Sequence, residues 1–353
     1  MKSALKKTKN WFVCIGQVYE NGLQIVDYEK KQYDEEGNEK GKKKCKAVKG
    51  QVAIDYGNGA QKFSVFFAQY DGHGKVIPQW KMACNMVEWN PVIDGDPDME
   101  PTIAQIQGSI DTNDYIGTNG KVYNGLRWRV SKASTTNLSA TDFCCSINGD
   151  YYIDKIEEEE NDEEPTGRLK VSLYGVNGNG EIIPYTMFVE EDSIDFFDYE
   201  ESDTVYIEME LKSRHVGEKK RAGFRGKRAK ANFGQGFDIP ELIYSGSDDA
   251  YEEPDDEDDE KTRWINPETM AKAVRVRKKK LDEMNQSSDK ENKGNSSRSK
   301  SVDFKARKAT ITAKSSRTKK TEISSPIIED DDELPFDDEE DFDDDLEDFD
   351  DEE

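Results

Sequence analysis

The segment KSRHVGEKKRAGFRGKRAKANFGQGF, Lys212 to Phe237, holds nine Lys or Arg against one acid, with Phe224, Phe233 and Phe237 set among glycines. Cations displace counterions from phosphates, and rings stack on exposed bases, so this mixture suits an irregular polyanion with flat groups. The candidate contacts in this arm are Lys212, Arg214, Lys219, Lys220, Arg221, Phe224, Arg225, Lys227, Arg228 and Phe233. A second set lies on segments that alternate with period two. In Lys62 to Tyr70, Phe63, Val65 and Phe67 share one face, while Lys62, Phe66 and Tyr70 share the other. Leu126, Trp128 and Val130 alternate with Arg127 and Arg129, and Lys81 is expected on a strand that follows a glycine turn. Rings and cations interleaved on exposed strand faces make Lys62, Phe66, Tyr70, Lys81, Arg127 and Arg129 a candidate groove for single-stranded nucleic acid.

A third set sits in EDDDELPFDDEEDFDDDLEDFDDEE, where Glu329 to Glu353 carry nineteen acids and no base. A tail serving only solubility has no use for Leu334, Pro335, Phe336, Phe342, Leu346 and Phe349, so these read as partner-docking elements on a polyanion. Such a tail imitates a nucleic-acid strand and competes for the same cations. Upstream, Lys261 to Ile328 hold nineteen Lys or Arg against seven acids, so the net charge of −26 does not exclude a nucleic-acid partner.

Catalytic chemistry finds little support. His73 and His215 are the only histidines, no Cys-x-x-Cys occurs, and the adjacent Cys144 and Cys145 are poorly spaced for one tetrahedral zinc. The turns Asp71 to Gly74 and Asn177 to Gly180 lack the lysine and helix of a phosphate loop. The reading is therefore a non-enzymatic protein with no catalytic residue, metal or cofactor. Cysteines without disulfide spacing, and a start without a signal-peptide apolar region, lead to a reduced, cytoplasmic setting as the expectation. No apolar run approaches the ~20 residues of a membrane helix.

Positioning these groups requires β structure. Short runs of Val, Ile, Phe, Tyr and Trp broken by Gly, Asn and Asp predict a mainly β chain. At an offset of 106 residues, VFFAQYDGHGKVIPQWKM (Val65 to Met82) matches VSLYGVNGNGEIIPYTMF (Val171 to Phe188) at five of eighteen positions. Read as a β-hairpin repeated in two copies of one small domain, this predicts two OB-like barrels of about five strands each, with an Ig-like sandwich as the structural alternative. The expected organisation is a first OB-like domain over 1–140 and a second over 141–245, the latter carrying the arm 212–237. An acidic linker (246–260), a basic helix (261–285), a basic disordered linker (286–328) and the acidic tail (329–353) follow. The lysine-rich Glu35 to Gly50 and the acidic Ile156 to Gly167 are expected as loops of the two barrels. Asn266 followed by Pro267 and Glu268 predicts a helix start, with the helix running to about Met284.

An OB-like core with a basic arm, a polar linker and an acidic tail resembles the single-stranded DNA-binding proteins of bacteria and especially of bacteriophages. The run Asp330-Asp331-Asp332-Glu333-Leu334-Pro335-Phe336 is similar to the acidic Ile-Pro-Phe tip of the bacterial family. In that family the Phe is terminal, whereas seventeen residues follow Phe336 here. The resemblance implies sequence-independent binding and protection of single-stranded DNA in replication, repair and recombination. It also implies a tail that regulates access and recruits replication and recombination proteins, in a bacterial host's cytoplasm if the chain is phage-encoded. The alternative class is an acidic chaperone-like or scaffold protein for basic partners, which leaves the arm and the basic region after Lys261 without a target.

Overall fold

The computed structural model describes residues 5–34, 36–117, 121–161, 164–216, 237–254 and 262–295. The first part of the chain forms β1 (Asn10–Asn21), β2 (Gln24–Tyr33), β3 (Glu39–Asp55), β4 (Ala60–Ala68), helix α1 (Trp80–Val87), β5 (Ile103–Thr112), the short β6 (Tyr115–Ile116) and β7 (Val122–Tyr123), and β8 (Leu126–Thr135). The second forms β9 (Cys144–Asn161), β10 (Glu164–Val176), β11 (Ile182–Val189), β12 (Thr204–Val216) and β13 (Phe237–Ser247), and helix α2 (Pro267–Asn295) follows.

Two closed rings emerge from the strand pairings. In the first, β1 pairs with β3, β3 with β4, β4 with β8, β8 with β5, and β5 returns to β1. The second repeats this connectivity through β9, β10, β11, β13 and β12. In each ring the third and fifth strands run parallel and every other pair is antiparallel. This is the five-stranded Greek-key barrel of the OB type, built twice. The barrels are joined where β1 pairs with β9 from Asn10↔Gly149 to Ile15↔Cys144.

Period-two patterning sets the interiors. Phe12, Phe63 and Trp128 meet inside the first barrel with ring centroids 5.1 to 5.7 Å apart. Tyr151 and Tyr185 meet edge-on at 5.1 Å in the second, among Val171, Leu173, Ile183, Met187, Val205, Ile207 and Met209. Each such side chain stabilises the fold by roughly 1.5–3 kcal/mol when fully buried. A one-residue slip would turn the whole set outward, so the apolar pattern fixes the register. At Gly50 (φ +143°), β3 leaves β2 and begins to pair with β1. A Cβ there would lie 2.3 Å from the Gly22 carbonyl oxygen, so the switch requires glycine.

Several sequence expectations need correction. Lysine-rich Glu35 to Gly50 is not a loop, since Glu39 onward is β3, paired with β2 from Gln24↔Lys49 to Tyr33↔Glu39 in a long hairpin off the first barrel. Its lysines alternate with Cys45 and Ala47, so side-chain charge masked a strand period. Acidic Ile156 to Gly167 is likewise the paired ends of β9 and β10. The 106-residue repeat marks a turn and not equivalent strands. Asp71 Oδ1 accepts from the His73 and Lys75 amides, Asn177 Oδ1 accepts from those of Asn179 and Glu181, and Gly74 and Gly180 both take positive φ. In the second copy this turn joins β10 to β11. In the first it follows β4 and leads into α1, so the hairpin shrinks to a single antiparallel bridge, Tyr70 to Val76, and Lys81 lies on a helix. That helix places Ala83 and Met86 in the first core.

Folded structure extends past Ser245. Tyr251 donates to Asp150 Oδ1 at 2.7 Å, and Asn266 Oδ1 accepts from the Glu268 amide at 2.9 Å as the N-cap of α2. The helix runs beyond Met284 to Asn295. Ile265 and Met270 are buried in a second apolar cluster with Leu5, Tyr152, Val176 and Ile182. The basic segment after Asn295 and the acidic tail lie outside the described residues.

Candidate nucleic-acid interface

The outer face of the first barrel is assembled by register. Val48, Val52, Phe63, Val65 and Phe67 fill the interior, so the residues that alternate with them face outward. Across β3 and β4, Lys49 stands opposite Phe66, Gln51 opposite Ser64 and Ala53 opposite Lys62. Ser64 is partnered by Arg129 on β8, and Arg127 and Arg129 face Asp111 and Ser109 on β5. Along the hairpin, Tyr28 pairs with Cys45 and Lys30 with Lys43. Of the strand residues singled out from sequence, Lys62, Phe66, Arg127 and Arg129 thus share one continuous face.

The aromatic part of this face is half-buried. The Tyr28 and Phe66 rings meet edge-on at 5.3 Å, and the Lys43 ammonium sits 3.5 Å from the Tyr70 ring centroid. Tyr70 lies just beyond β4 and is held by a bridge to Val76. Cys45, Ala47 and Ala68 belong to the same outward face yet are buried beneath larger neighbours. Lys81 is exposed on α1 and is not part of this surface.

The cations are held loosely. Lys62 Nζ is 2.9 Å from Glu20, with both side chains more than 40% exposed, and Arg129 reaches Asp111 only at 3.7 Å. Exposed pairs of this kind contribute ~0–1 kcal/mol, so a competing anion would displace the carboxylate at little cost. Arg127 donates to Asn113 Oδ1 at 2.8 Å. Burial, then the like charge of Arg129, lowers its affinity for the proton, while Asp111 opposes the shift.

Sequence reasoning missed Lys43 and Lys49, because Glu35 to Gly50 was assigned to a loop, and it missed Tyr28 and Lys30 on β2, whose segment was given no element. It also missed Tyr115 and Tyr123, which stack at 5.4 Å and 19° on the β6–β7 hairpin and are 44% and 41% exposed. The Asn119-Gly120 dipeptide between two tyrosines was the signal that a hairpin stood there.

The second barrel turns a different chemistry outward. Arg168 contacts Glu159 at 3.0 Å, Glu241 at 3.1 Å and Glu190 at 3.4 Å, and its guanidinium lies 4.4 Å from the Phe188 ring centroid. Arg214 joins the network through Glu159 at 3.2 Å and Glu241 at 3.0 Å, and Lys212 pairs with Glu210 at 3.1 Å. Beside the network a recess of about 630 Å³ is lined by Glu157, Glu158, Glu159, Glu160, Lys170 and Phe188, a setting unsuited to a polyanion.

Two predicted sets come near each other at one point. A Cβ on Gly59, in the β3–β4 turn, would meet the Ser213 hydroxyl at 2.5 Å, and Ser213 also bonds the Tyr56 hydroxyl, whose pKa burial raises. Ser213 is on β12, so the base of the basic arm abuts the Lys62 end of the first barrel's face. The arm's remaining candidates, Lys219, Lys220, Arg221, Phe224, Arg225, Lys227, Arg228 and Phe233, lie outside the described residues. So do Leu334, Pro335, Phe336, Phe342, Leu346 and Phe349 of the tail.

A family model described as YorF matches residues 19–287, from within β1 into α2. A search of the curated proteins finds no match. Among solved structures, the chain is similar to the wild-type single-stranded DNA binding protein from Thermus aquaticus, with 8% identity, a TM-score of 0.38, and 71% of this chain and 97% of that one covered. A deletion mutant of the same Thermus protein aligns with 10% identity and a TM-score of 0.35, covering 71% of this chain and 99% of that one.

Proposed function

The chain belongs to the YorF family, and we propose that it is a non-enzymatic protein that binds single-stranded DNA without sequence preference through the outer face of its first barrel. One observation carries this reading: the strand register unites Lys62, Phe66, Arg127 and Arg129 with Tyr28, Lys30, Lys43 and Lys49 on one face. Rings for stacking and exchangeable cations for phosphates are what a sequence-tolerant groove needs. The arm rooted beside Lys62 extends the groove, and the role is to coat and protect strands during replication and recombination. The acidic tail competes with DNA for these cations and recruits partner proteins through its Leu and Phe residues.

Fluorescence anisotropy of a labelled oligothymidine tests binding, with unlabelled single strands, an unlabelled duplex and a basic protein as competitors. Salt-sensitive binding of the single strand that only unlabelled single strands displace supports the reading, and displacement by the basic protein alone favours the scaffold alternative. Removing Glu329 to Glu353 takes the formal net charge from −26 to −7. The truncated protein should bind more tightly at low salt, with the gain shrinking as salt screens the charges. An unchanged low-salt affinity would remove the competing role of the tail.

A further inference from the structure

Helix α2 is held by one face and spans the two barrels. Met270, Ala273 and Val274 pack into the apolar cluster with Tyr152, Val176 and Ile182 of the second barrel. Lys280 pairs with Glu181 at 3.0 Å in the β10–β11 turn. Arg277 reaches across to the first barrel, 2.8 Å from Asp114 Oδ1, with side chains only 12% and 6% exposed. Asp114 follows Asn113, the residue that accepts from Arg127. The sequence of contacts from Arg127 through Asn113 and Asp114 to Arg277 therefore brings α2 to the margin of the candidate interface, at the root of the Tyr115–Tyr123 hairpin.

The opposite side of the helix carries charge of one sign between Glu268 and Asp282. Between Ala271 and Leu281 stand six Lys or Arg and no acid. Arg277 and Lys280 are used in docking, while Lys272, Arg275, Lys278 and Lys279 are exposed. Lys272, Arg275 and Lys279 follow one another at helical spacing, so they form a ridge in which like charges repel. Glu283 approaches Lys279 only at 3.7 Å, and both are largely exposed. Val276, 69% exposed, lies among these cations. Glu268 and Glu283 stand at the two ends of this ridge, and between them it is cationic and self-repelling. A polyanion laid along it relieves the repulsion.

We propose that the ridge Lys272–Arg275–Lys279 is a second contact for the same DNA strand, which leaves the first barrel's face beside Arg127, passes the Tyr115–Tyr123 hairpin and continues along α2. This rests on the reading of the first barrel as a single-strand groove. The ligand atoms are backbone phosphates, so base sequence does not matter at the ridge.

The test uses the full chain with Lys272→Gln, Arg275→Gln and Lys279→Gln combined, and labelled oligothymidines of roughly 8 and roughly 30 nucleotides, chosen around the ~4–16 nucleotides an OB fold covers. The short strand should bind the variant as it binds the unaltered protein. The long strand should lose its extra affinity, and its salt slope should fall by about 2, from ~0.7 per phosphate contact on single strands. A Lys272→Arg, Lys279→Arg variant keeps the charge and should retain the full slope, and an unchanged melting midpoint shows that the helix remains docked. Equal slope and equal length dependence in the Gln variant overturn the ridge alone. Absence of single-strand binding by the unaltered protein overturns the groove itself, so the two failures are distinct.

Discussion

On the first barrel Lys62 and Arg129 each meet one exposed or loosely held carboxylate, whereas on the second Arg168 is enclosed by three. The strands are matched in topology, and each barrel sets a Lys opposite a Phe across its second and third strands, Lys49–Phe66 in one and Lys170–Phe188 in the other. Their surroundings differ. Phe66 meets the edge of Tyr28, whereas Phe188 lies beneath Arg168, and Lys170 is paired with Glu157 at 3.2 Å. One fold has placed the same pair of residue types on two faces, and neighbouring carboxylates decide which face keeps its cations exchangeable. Fold alone therefore says little about ligand, and the charge inventory around the shared positions says more.

The largest effect expected from this contrast is on stability. Arg168→Met would leave Glu159 and Glu241, both nearly buried, with Arg214 as their remaining cation. Removing one partner from a buried ion network costs about 3–5 kcal/mol. Arg129→Met breaks only a long, partly exposed pair and should change unfolding free energy by less than ~1 kcal/mol. Urea denaturation of the two variants reads the difference. Equal shifts in midpoint would mean that the second barrel's network is no more structural than the first barrel's surface pairs.

Much of the architecture was legible from sequence wherever one strand face is apolar. Phe63, Val65 and Phe67, then Leu126, Trp128 and Val130 announced their strands, because a period of two with one buried face leaves a clear trace. The β2–β3 hairpin was not legible, since it projects beyond the ring and most of its side chains face water on both sides. Charge there follows solvent and not pairing. The repeat was found for a reason other than homology of position: an Asx-type turn with a left-handed glycine recurs wherever it is useful, so Asp71 and Asn177 match while the elements after them differ. The network around Arg168 was invisible because Glu159, Glu190 and Glu241 come from three separate segments, and the abundance of carboxylates hid the ones that are buried.

A middle-sized effect concerns the two phenylalanines. Phe66→Ala should weaken single-strand binding by about 1–3 kcal/mol, the loss expected for one base–aromatic stack. Phe188→Ala removes a ring already covered by a guanidinium, so it should leave affinity unchanged while loosening Arg168. Anisotropy titrations at one fixed salt concentration compare them. A loss with Phe188→Ala as large as that with Phe66→Ala would show that the strand reaches the second barrel.

The smallest effect separates the cations by their salt dependence. Arg127 is bound to a neutral partner, Asn113, so when a phosphate arrives no carboxylate has to be displaced and a counterion is released from the DNA. Arg127→Ala should lower the slope of log affinity against log salt by ~0.7, the value for one phosphate on a single strand. Lys170 differs in having Glu157 at 3.2 Å, whose carboxyl is held below its usual pKa by hydrogen bonds from Lys155 and Lys170. A depressed pKa means the carboxylate stays ionised as pH falls through the ordinary Glu range, and Lys170 remains paired there. Lys170→Ala should accordingly leave the slope unchanged at pH 7 and also near pH ~4.3, where an ordinary Glu is half protonated. A slope that falls with Lys170→Ala as much as with Arg127→Ala would show that pairing within the protein does not withhold the second barrel's cations, and the contrast between the barrels would then have to be sought in shape.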